Sequence, residues 1–279
     1  MKSRGFMLPF WPSERMGADT QRIYEFMAIQ AAVSFRACSG PEPDLAVVDC
    51  RAALSAGARA HLGKVARIVT GEKLGHDIPW EAACFSKLLC LANSPWAETC
   101  LFDADQFWTG TAVDVFDSDE PRGADVAGVL CENYSSTGGG TAKPGVCASV
   151  TISRSPDAIR SAMTARPRAT QPNADECILD RAVLEGLITR SHLPREWSFD
   201  GLALFGHGPG PFHNWRHRAI WECSAGWSGF PMGRWLVDGA PPVRCFHASG
   251  NVREVFGDRV VLGYLDRCAS SLGLPIVRL

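Results

Sequence analysis

The apolar run Thr99-Cys100-Leu101-Phe102 ends abruptly in Asp103-Ala104-Asp105. A Ser-Pro turn lies upstream of this run and acids close it downstream, so it reads as a short buried strand. Two carboxylates with one residue between them, at the carboxyl end of such a strand, make a small, hard, anionic site. Oxygen donors of this kind suit Mg²⁺ or Mn²⁺ carrying a diphosphate. In open α/β sheets, ligands bind just beyond the carboxyl ends of the strands. The motif therefore constrains the architecture and the chemistry together.

The flanking patterns fit that architecture. Strand patterns over 5–11, 45–48, 65–69, 124–132 and 146–153 alternate with helix patterns over 19–38, 79–93, 156–165 and 174–187, and a short Ala-rich helix follows Asp49. Ile23, Phe26, Met27, Ile29 and Ala31 give the first helix its apolar residues. Pro79 suits a first helical turn. This alternation predicts an α/β fold, a mostly parallel sheet flanked by helices. The Ser/Thr/Gly stretch over 135–145 is too polar for a core and is expected to be a mobile lid. Residues 201–242 hold many Gly and Pro together with Phe212, Trp215, Arg216, Trp221, Trp227 and Trp235. So much aromatic surface is foreign to linkers and predicts a small irregular C-terminal subdomain. The expected organisation is a core over 1–200, an aromatic and Arg-rich insertion over 201–242, and a closing strand-loop with a C-terminal helix over 243–279.

Composition narrows the function classes. A chain of 279 residues accommodates one α/β domain with an elaboration. No apolar run reaches the roughly 18 residues needed to span a bilayer. The N-terminal apolar run stops at Pro12 without a small-residue cleavage site, so it reads as a first strand and not as a signal peptide. Eleven cysteines lie scattered in apolar segments with no C-x-x-C pair. They predict buried free thiols in a reducing cytoplasm, not a disulfide or zinc framework. The chain has no P-loop, no G-x-S-x-G and no G-x-G-x-x-G after a strand, which argues against kinase-like, hydrolase and dinucleotide-binding readings. His213 and His217 stand four apart but have no third ligand nearby in sequence.

Two further segments carry candidate chemistry. Cys245-Phe246-His247 reads as a strand ending in a histidine, and Ala248-Ser249-Gly250 then make a tight loop where backbone can approach a phosphate. Pro172-Asn173-Ala174-Asp175-Glu176 reads as a helix start, with Asn173 as cap and the two acids at the positive end of the helix dipole.

The 84–119 segment resembles the nucleotide-sugar glycosyltransferases of the GT-A fold, in particular the glycogenin and bacterial lipopolysaccharide galactosyltransferase group, family 8. The resemblance rests on Phe85-Ser86-Lys87-Leu88-Leu89-Cys90 ahead of the acidic strand, Asp103-Ala104-Asp105, and Val113-Asp114-Val115-Phe116 after it. It implies a GT-A (Rossmann-like) fold and a Mn²⁺ or Mg²⁺ ion held by Asp103, Asp105 and His247. Lys87, Ala104, Gly250 and Arg253 fall at donor-binding positions, with Arg253 where the family has Lys. Asp175 matches the Asp of the family's D-Q pair, which touches the donor sugar, and Glu176 replaces the Gln. Cys147-Ala148-Ser149 and Leu8-Pro9-Phe10-Trp11 depart from the family's sugar-pocket and uridine-binding patterns.

The implied activity is metal-dependent transfer of a hexose from a nucleotide diphosphate sugar, UDP-linked by resemblance, with retention of configuration. Asp175 would be catalytic, orienting the sugar. The acceptor stays open between a glycan, a protein and a hydroxylated DNA base. The aromatic insertion reads as a second small core, as a platform for sugar rings, or as a nucleic-acid surface. The alternative is a catalytically inactive nucleotide-sugar-binding protein.

Overall fold

The computed structural model describes residues 3–11, 18–50, 52–71, 79–131, 145–169, 175–200, 219–222, 234–237, 243–248 and 252–278. In chain order its elements begin β1 (Arg4–Phe10), α1 (Ala18–Ser39), β2 (Leu45–Asp49), α2 (Ala56–Leu62) and β3 (Arg67–Thr70). They continue α3 (Pro79–Ala92), β4 (Glu98–Phe102), β5 (Gln106–Trp108), β6 (Val126–Cys131) and β7 (Gly145–Ser153). Then come α4 (Pro156–Met163), α5 (Asp175–Leu184), β8 (Arg190–Leu193) and β9 (Phe199–Asp200). The chain closes with β10 (Ala219–Glu222), β11 (Arg234–Val237), β12 (Cys245–His247), α6 (Val252–Gly257) and α7 (Arg259–Ser271).

Among the described residues, seven strands form one sheet in the order β3-β2-β1-β4-β7-β6-β8. The β3, β2, β1 and β4 pairings are parallel, β7 runs antiparallel to both neighbours, and β8 is parallel to β6. This is the expected α/β architecture, mostly parallel. Strand alternation then assigns the two faces. Phe6, Leu8, Phe10, Leu45, Val47, Cys100 and Phe102 enter a core with α1 and α7. Met7, Ala46, Val48 and Leu101 enter a second core with α3, α4 and α5. Both faces are covered, so β1, β2 and β4 read in sequence as continuous apolar runs.

Local chemistry sets the helix ends. The Ser55 side chain accepts the Ala58 N–H at the start of α2, and Ser155, followed by Pro156, caps α4 through the Asp157 N–H. Gly186 takes φ +70 just after α5, and the Leu187 N–H returns to the Ala182 carbonyl at 2.9 Å. A glycine in the left-handed region ends the helix at Leu184, three residues before the expected 187. The strand expected over 65–69 begins at Arg67, because the Val65 and Ala66 N–H groups bond the Leu62 carbonyl and finish the turn after α2. Val65 is buried as an anchor for that turn and not as a strand residue.

A second, smaller sheet in the order β5-β12-β9 lies beside the first. Strands β5 and β9 were not expected; two or three residues are too short to carry a period. The antiparallel pair β10–β11 falls within 201–242 and sets Trp221 opposite Trp235. The rest of that insertion, and the expected lid over 135–145 apart from Gly145, lie outside the described residues. The described cysteines Cys38, Cys50, Cys84, Cys90, Cys100, Cys177, Cys245 and Cys268 are buried and outside any disulfide. No described helix is long and apolar enough to cross a membrane.

Phe35 of α1 centres the first core. Its ring lies 4.8 Å from Phe6, 5.5 Å from Phe102 and 5.5 Å from Trp108, and it is fully buried. Phe35→Ala is expected to cost about 3–5 kcal/mol in chemical denaturation, since both the transfer energy and the cavity count. Val113→Ala, at an exposed position, should stay within about 0.5 kcal/mol of the parent.

Candidate active site

Strands β1, β2, β3 and β4 all point their carboxyl ends to one edge of the large sheet. At that edge Asp103-Ala104-Asp105 makes the turn from β4 into β5. The Asp103 N–H is shared between the Ser149 carbonyl at 3.1 Å and the Gln106 Oε1 at 3.0 Å. Strand β12 pairs with β5 so that His247 stands opposite Gln106, and the Ala248 N–H donates to the Asp105 carbonyl at 2.9 Å. These backbone bonds bring together residues about 140 apart in sequence. His247 Nε2 comes to 3.2 Å from Asp105 Oδ1. One ligand atom from each of Asp103, Asp105 and His247 lies within 4.8 Å of the others.

Lys87, from the middle of α3, completes the cluster. Its Nζ lies 2.7 Å from Asp103 Oδ1 and 3.5 Å from Asp175 Oδ2. Asp175 opens α5 and is 1% exposed. Its Oδ2 forms the ion pair with Lys87 but has no hydrogen-bond partner. The pairing at 3.5 Å is thus charge attraction without hydrogen-bond geometry, and this oxygen keeps acceptor capacity. Glu176 accepts the Ala148 N–H at 3.2 Å.

The electrostatics follow from burial against charge. Burial pushes Asp103 up; the Lys87 ammonium pulls it back and the Asp105 charge pushes it further, leaving it at about 6. Burial also acts to raise Asp105, but the charge and hydrogen bond of His247 outweigh it and hold Asp105 below the usual range. Burial alone would lower Lys87, yet the charges of Asp103 and then Asp175 hold its ammonium well above the usual lysine value. Three carboxylates thus face one fixed ammonium and one imidazole, an arrangement that favours a further cation.

A cavity of about 340 Å³ adjoins the cluster. Pro9, Phe10 and Trp11 from the end of β1, Tyr24 and Met27 of α1, Cys84 and Lys87 of α3, Ala104 and Val252 are among its walls. Burial, and then the charges of Asp105 and Asp103, raise the Tyr24 hydroxyl. Tyr24 and Gln106 escaped the sequence reading. Neither belongs to a spaced motif, and only the packing of α1 and the ladder of β12 on β5 reveal them. Arg253 lies exposed on α6, next to Val252. Gly250, His213 and His217 lie outside the described residues.

No family model matches the chain, and no curated protein matches it. Solved structures do. The galactosyltransferase LgtC in complex with donor and acceptor sugar analogs matches at 13% identity and TM-score 0.57, over 98% of this chain and 97% of LgtC. Mouse xyloside xylosyltransferase 1 in its apo form matches at 11% identity and TM-score 0.52, over 89% of this chain and 98% of that one. The WbbM bifunctional glycosyltransferase matches at 10% identity and TM-score 0.52, over 72% of this chain; this chain spans only 40% of WbbM. These likenesses show that the chain has the GT-A glycosyltransferase fold.

Lys87→Met removes the cation that, among the described residues, faces both Asp103 and Asp175. Breaking a mostly buried ion pair costs about 3–5 kcal/mol, and the partial exposure of Lys87 puts this case at the low end. The melting temperature should fall, and millimolar Mn²⁺ should recover more of the loss in the variant than it adds to the parent. Equal Mn²⁺ shifts in both proteins would contradict the coupling.

Proposed function

We propose that this protein is a divalent-metal-dependent glycosyltransferase. It moves a hexose from a nucleotide diphosphate sugar, UDP-linked, to an acceptor hydroxyl with retention of configuration. The observation that carries this reading is the convergence of Asp103, Asp105 and His247 at the carboxyl edge of a GT-A sheet. Two hard carboxylate oxygens and one imidazole nitrogen, drawn together by backbone pairing, fit Mn²⁺ or Mg²⁺. When bound, the ion supplies positive charge that carries the diphosphate and stabilises it as a leaving group.

The chain's own residues do the rest. Lys87 holds Asp103 in place and adds positive charge beside the donor. Asp175, buried at the start of α5 with an oxygen free of hydrogen bonds, orients the sugar and stabilises positive charge growing on its ring. Trp11 and Tyr24 give the adjoining cavity aromatic walls against which a nucleobase can pack. Ala104, between the two acids, presents a small side chain to the donor, and Gly250 lets backbone approach the phosphates. Arg253 contacts a phosphate, bidentately where lysine would be a point charge. The insertion over 201–242 forms the acceptor side, for a glycan, a protein or a hydroxylated DNA base. The free buried thiols suit a reducing cytoplasm.

One observation favours the alternative, a nucleotide-sugar-binding protein without transfer activity. Ser149, in the stretch that departs from the family's sugar-pocket pattern, ties its hydroxyl to Ser198 at 2.7 Å inside the core.

Mass spectrometry of donor turnover, over a panel of nucleotide sugars with and without Mn²⁺, tests the proposal. Slow hydrolysis of a UDP-sugar should vanish in EDTA and return with Mn²⁺. Asp103→Ala or Asp105→Ala should lower turnover about 100-fold or more with the fold retained. His247→Ala should weaken Mn²⁺-dependent UDP binding more than tenfold, about 1.4 kcal/mol. Undiminished turnover in EDTA would exclude the metal role, and metal-dependent UDP binding without any turnover would favour the alternative. For the acceptor, Trp221→Ala and Trp235→Ala should weaken binding at low and high salt alike if it is a neutral glycan. A nucleic-acid acceptor would instead lose affinity steeply with salt.

A further inference from the structure

A second cavity, also about 340 Å³, adjoins α3, which lines the donor cavity as well. Its walls include Val48 and Cys50 at the end of β2, Val69 at the end of β3, and Ser86, Leu89 and Cys90 of α3. Ser86 also lines the donor cavity, so α3 is the common wall. Within the second cavity Cys50 Sγ and Cys90 Sγ lie 3.9 Å apart, both thiols free and both residues buried. The two are 40 residues apart in sequence and come from different elements. Neither takes part in the proposed transfer.

We propose that Cys50 and Cys90 form an oxidative modification site, whose disulfide draws α3 toward the end of β2 and thereby weakens the donor site. The geometry is close to what the bond needs. An S–S bond is about 2.05 Å long, so the sulfurs must approach by roughly 1.9 Å. Cys90 lies one turn along α3 from Lys87. Moving α3 by even part of that distance disturbs the Lys87 contacts to Asp103 at 2.7 Å and to Asp175 at 3.5 Å. The link on the β2 side is equally tight. Asp49, just before Cys50, is fully buried; its carboxylate accepts the Ala53 N–H at 2.8 Å and meets Arg59 Nη2 at 2.5 Å. Directly beside it, a Cβ at Gly71 would meet the Cys50 Cα at 3.0 Å. The Cys50 side is therefore held.

The oxidant is a small peroxide, which a cavity of this size admits. One thiolate attacks a peroxide oxygen and becomes a sulfenic acid, releasing hydroxide that is protonated to water. The second thiol then displaces the sulfenic oxygen as water and closes the S–S bond. Two thiols and one hydrogen peroxide give one disulfide and two waters; the sulfurs lose two electrons and the peroxide gains them. The Cys50 neighbour, together with burial, holds the Cys90 thiol well above its usual value, so the thiolate is scarce and the reaction is slow. The regulatory half of this inference rests on the donor-binding reading above. The disulfide itself does not.

The test treats the full chain with hydrogen peroxide, blocks remaining thiols with iodoacetamide, and maps peptides by mass. The expected product has lost about 2 Da for two hydrogens, with Cys50 and Cys90 joined. UDP affinity with Mn²⁺ should fall at least fivefold on oxidation and recover in dithiothreitol, while Cys90→Ala and Cys50→Ala proteins keep their affinity through the same treatment. A disulfide mapped elsewhere, or both thiols alkylated after treatment, overturns the proposal. So does a Cys50–Cys90 bond that leaves UDP affinity unchanged. If the reduced parent does not bind UDP, the donor reading has failed separately. The Mn²⁺-dependent rise in melting temperature then decides: a smaller rise in the oxidised parent supports the coupling through α3, and an equal rise overturns it.

Discussion

The Lys87 ammonium stands between Asp103 and Asp175, and the anionic cluster depends on it. Three carboxylates gathered at one sheet edge repel one another, and burial adds to that cost. Asp103 at about 6 records the strain that remains after Lys87 has acted. His247 does the same for Asp105 from the other side, at 3.2 Å. The cluster is therefore folded but short of positive charge, and Asp175 keeps one oxygen without a hydrogen bond. A site in this condition gains most from a cation, and its geometry favours one over any anion.

The larger architecture serves to hold that cluster. The parallel pairing of β1 with β2 and β4 lines up their carboxyl ends, so the acidic turn opens at the edge where those ends gather. Covering the sheet on both faces favours long apolar runs in its central strands. The small sheet then contributes what the large one lacks. The β5–β12 ladder and the Ala248 bond to the Asp105 carbonyl bring the histidine in from the far end of the chain. Helix α3 carries Lys87 and, one turn on, Cys90, so residues of this one helix line both cavities.

Much of this was legible in the sequence, for identifiable reasons. The apolar runs of β1, β2 and β4 are long enough to carry a signal, and Pro79 opens α3 where expected. The acidic pair, His247 and Lys87 sit in spaced patterns, so a resemblance could place them in advance of coordinates. What was not legible has a physical reason in each case. Strands β5 and β9 are too short to show a period. The end of α5 turned on the backbone conformation of one glycine, Gly186. Val65 looked like a strand residue because it is apolar, while its N–H was committed to the turn after α2. Tyr24 and Gln106 join the site only through packing and pairing between elements far apart in sequence. The Cys50–Cys90 approach is of the same kind, since no spacing rule connects position 50 to position 90.

The central claim is that Asp103, Asp105 and His247 hold one divalent cation. Electron-nuclear double resonance on the Mn²⁺-loaded protein tests it most directly, with no substrate or acceptor needed. The account predicts coupling to one histidine nitrogen, absent in His247→Ala, and loss of tight Mn²⁺ binding in Asp105→Ala. Tightly bound Mn²⁺ without histidine nitrogen coupling, or with coupling that survives His247→Ala, would contradict it.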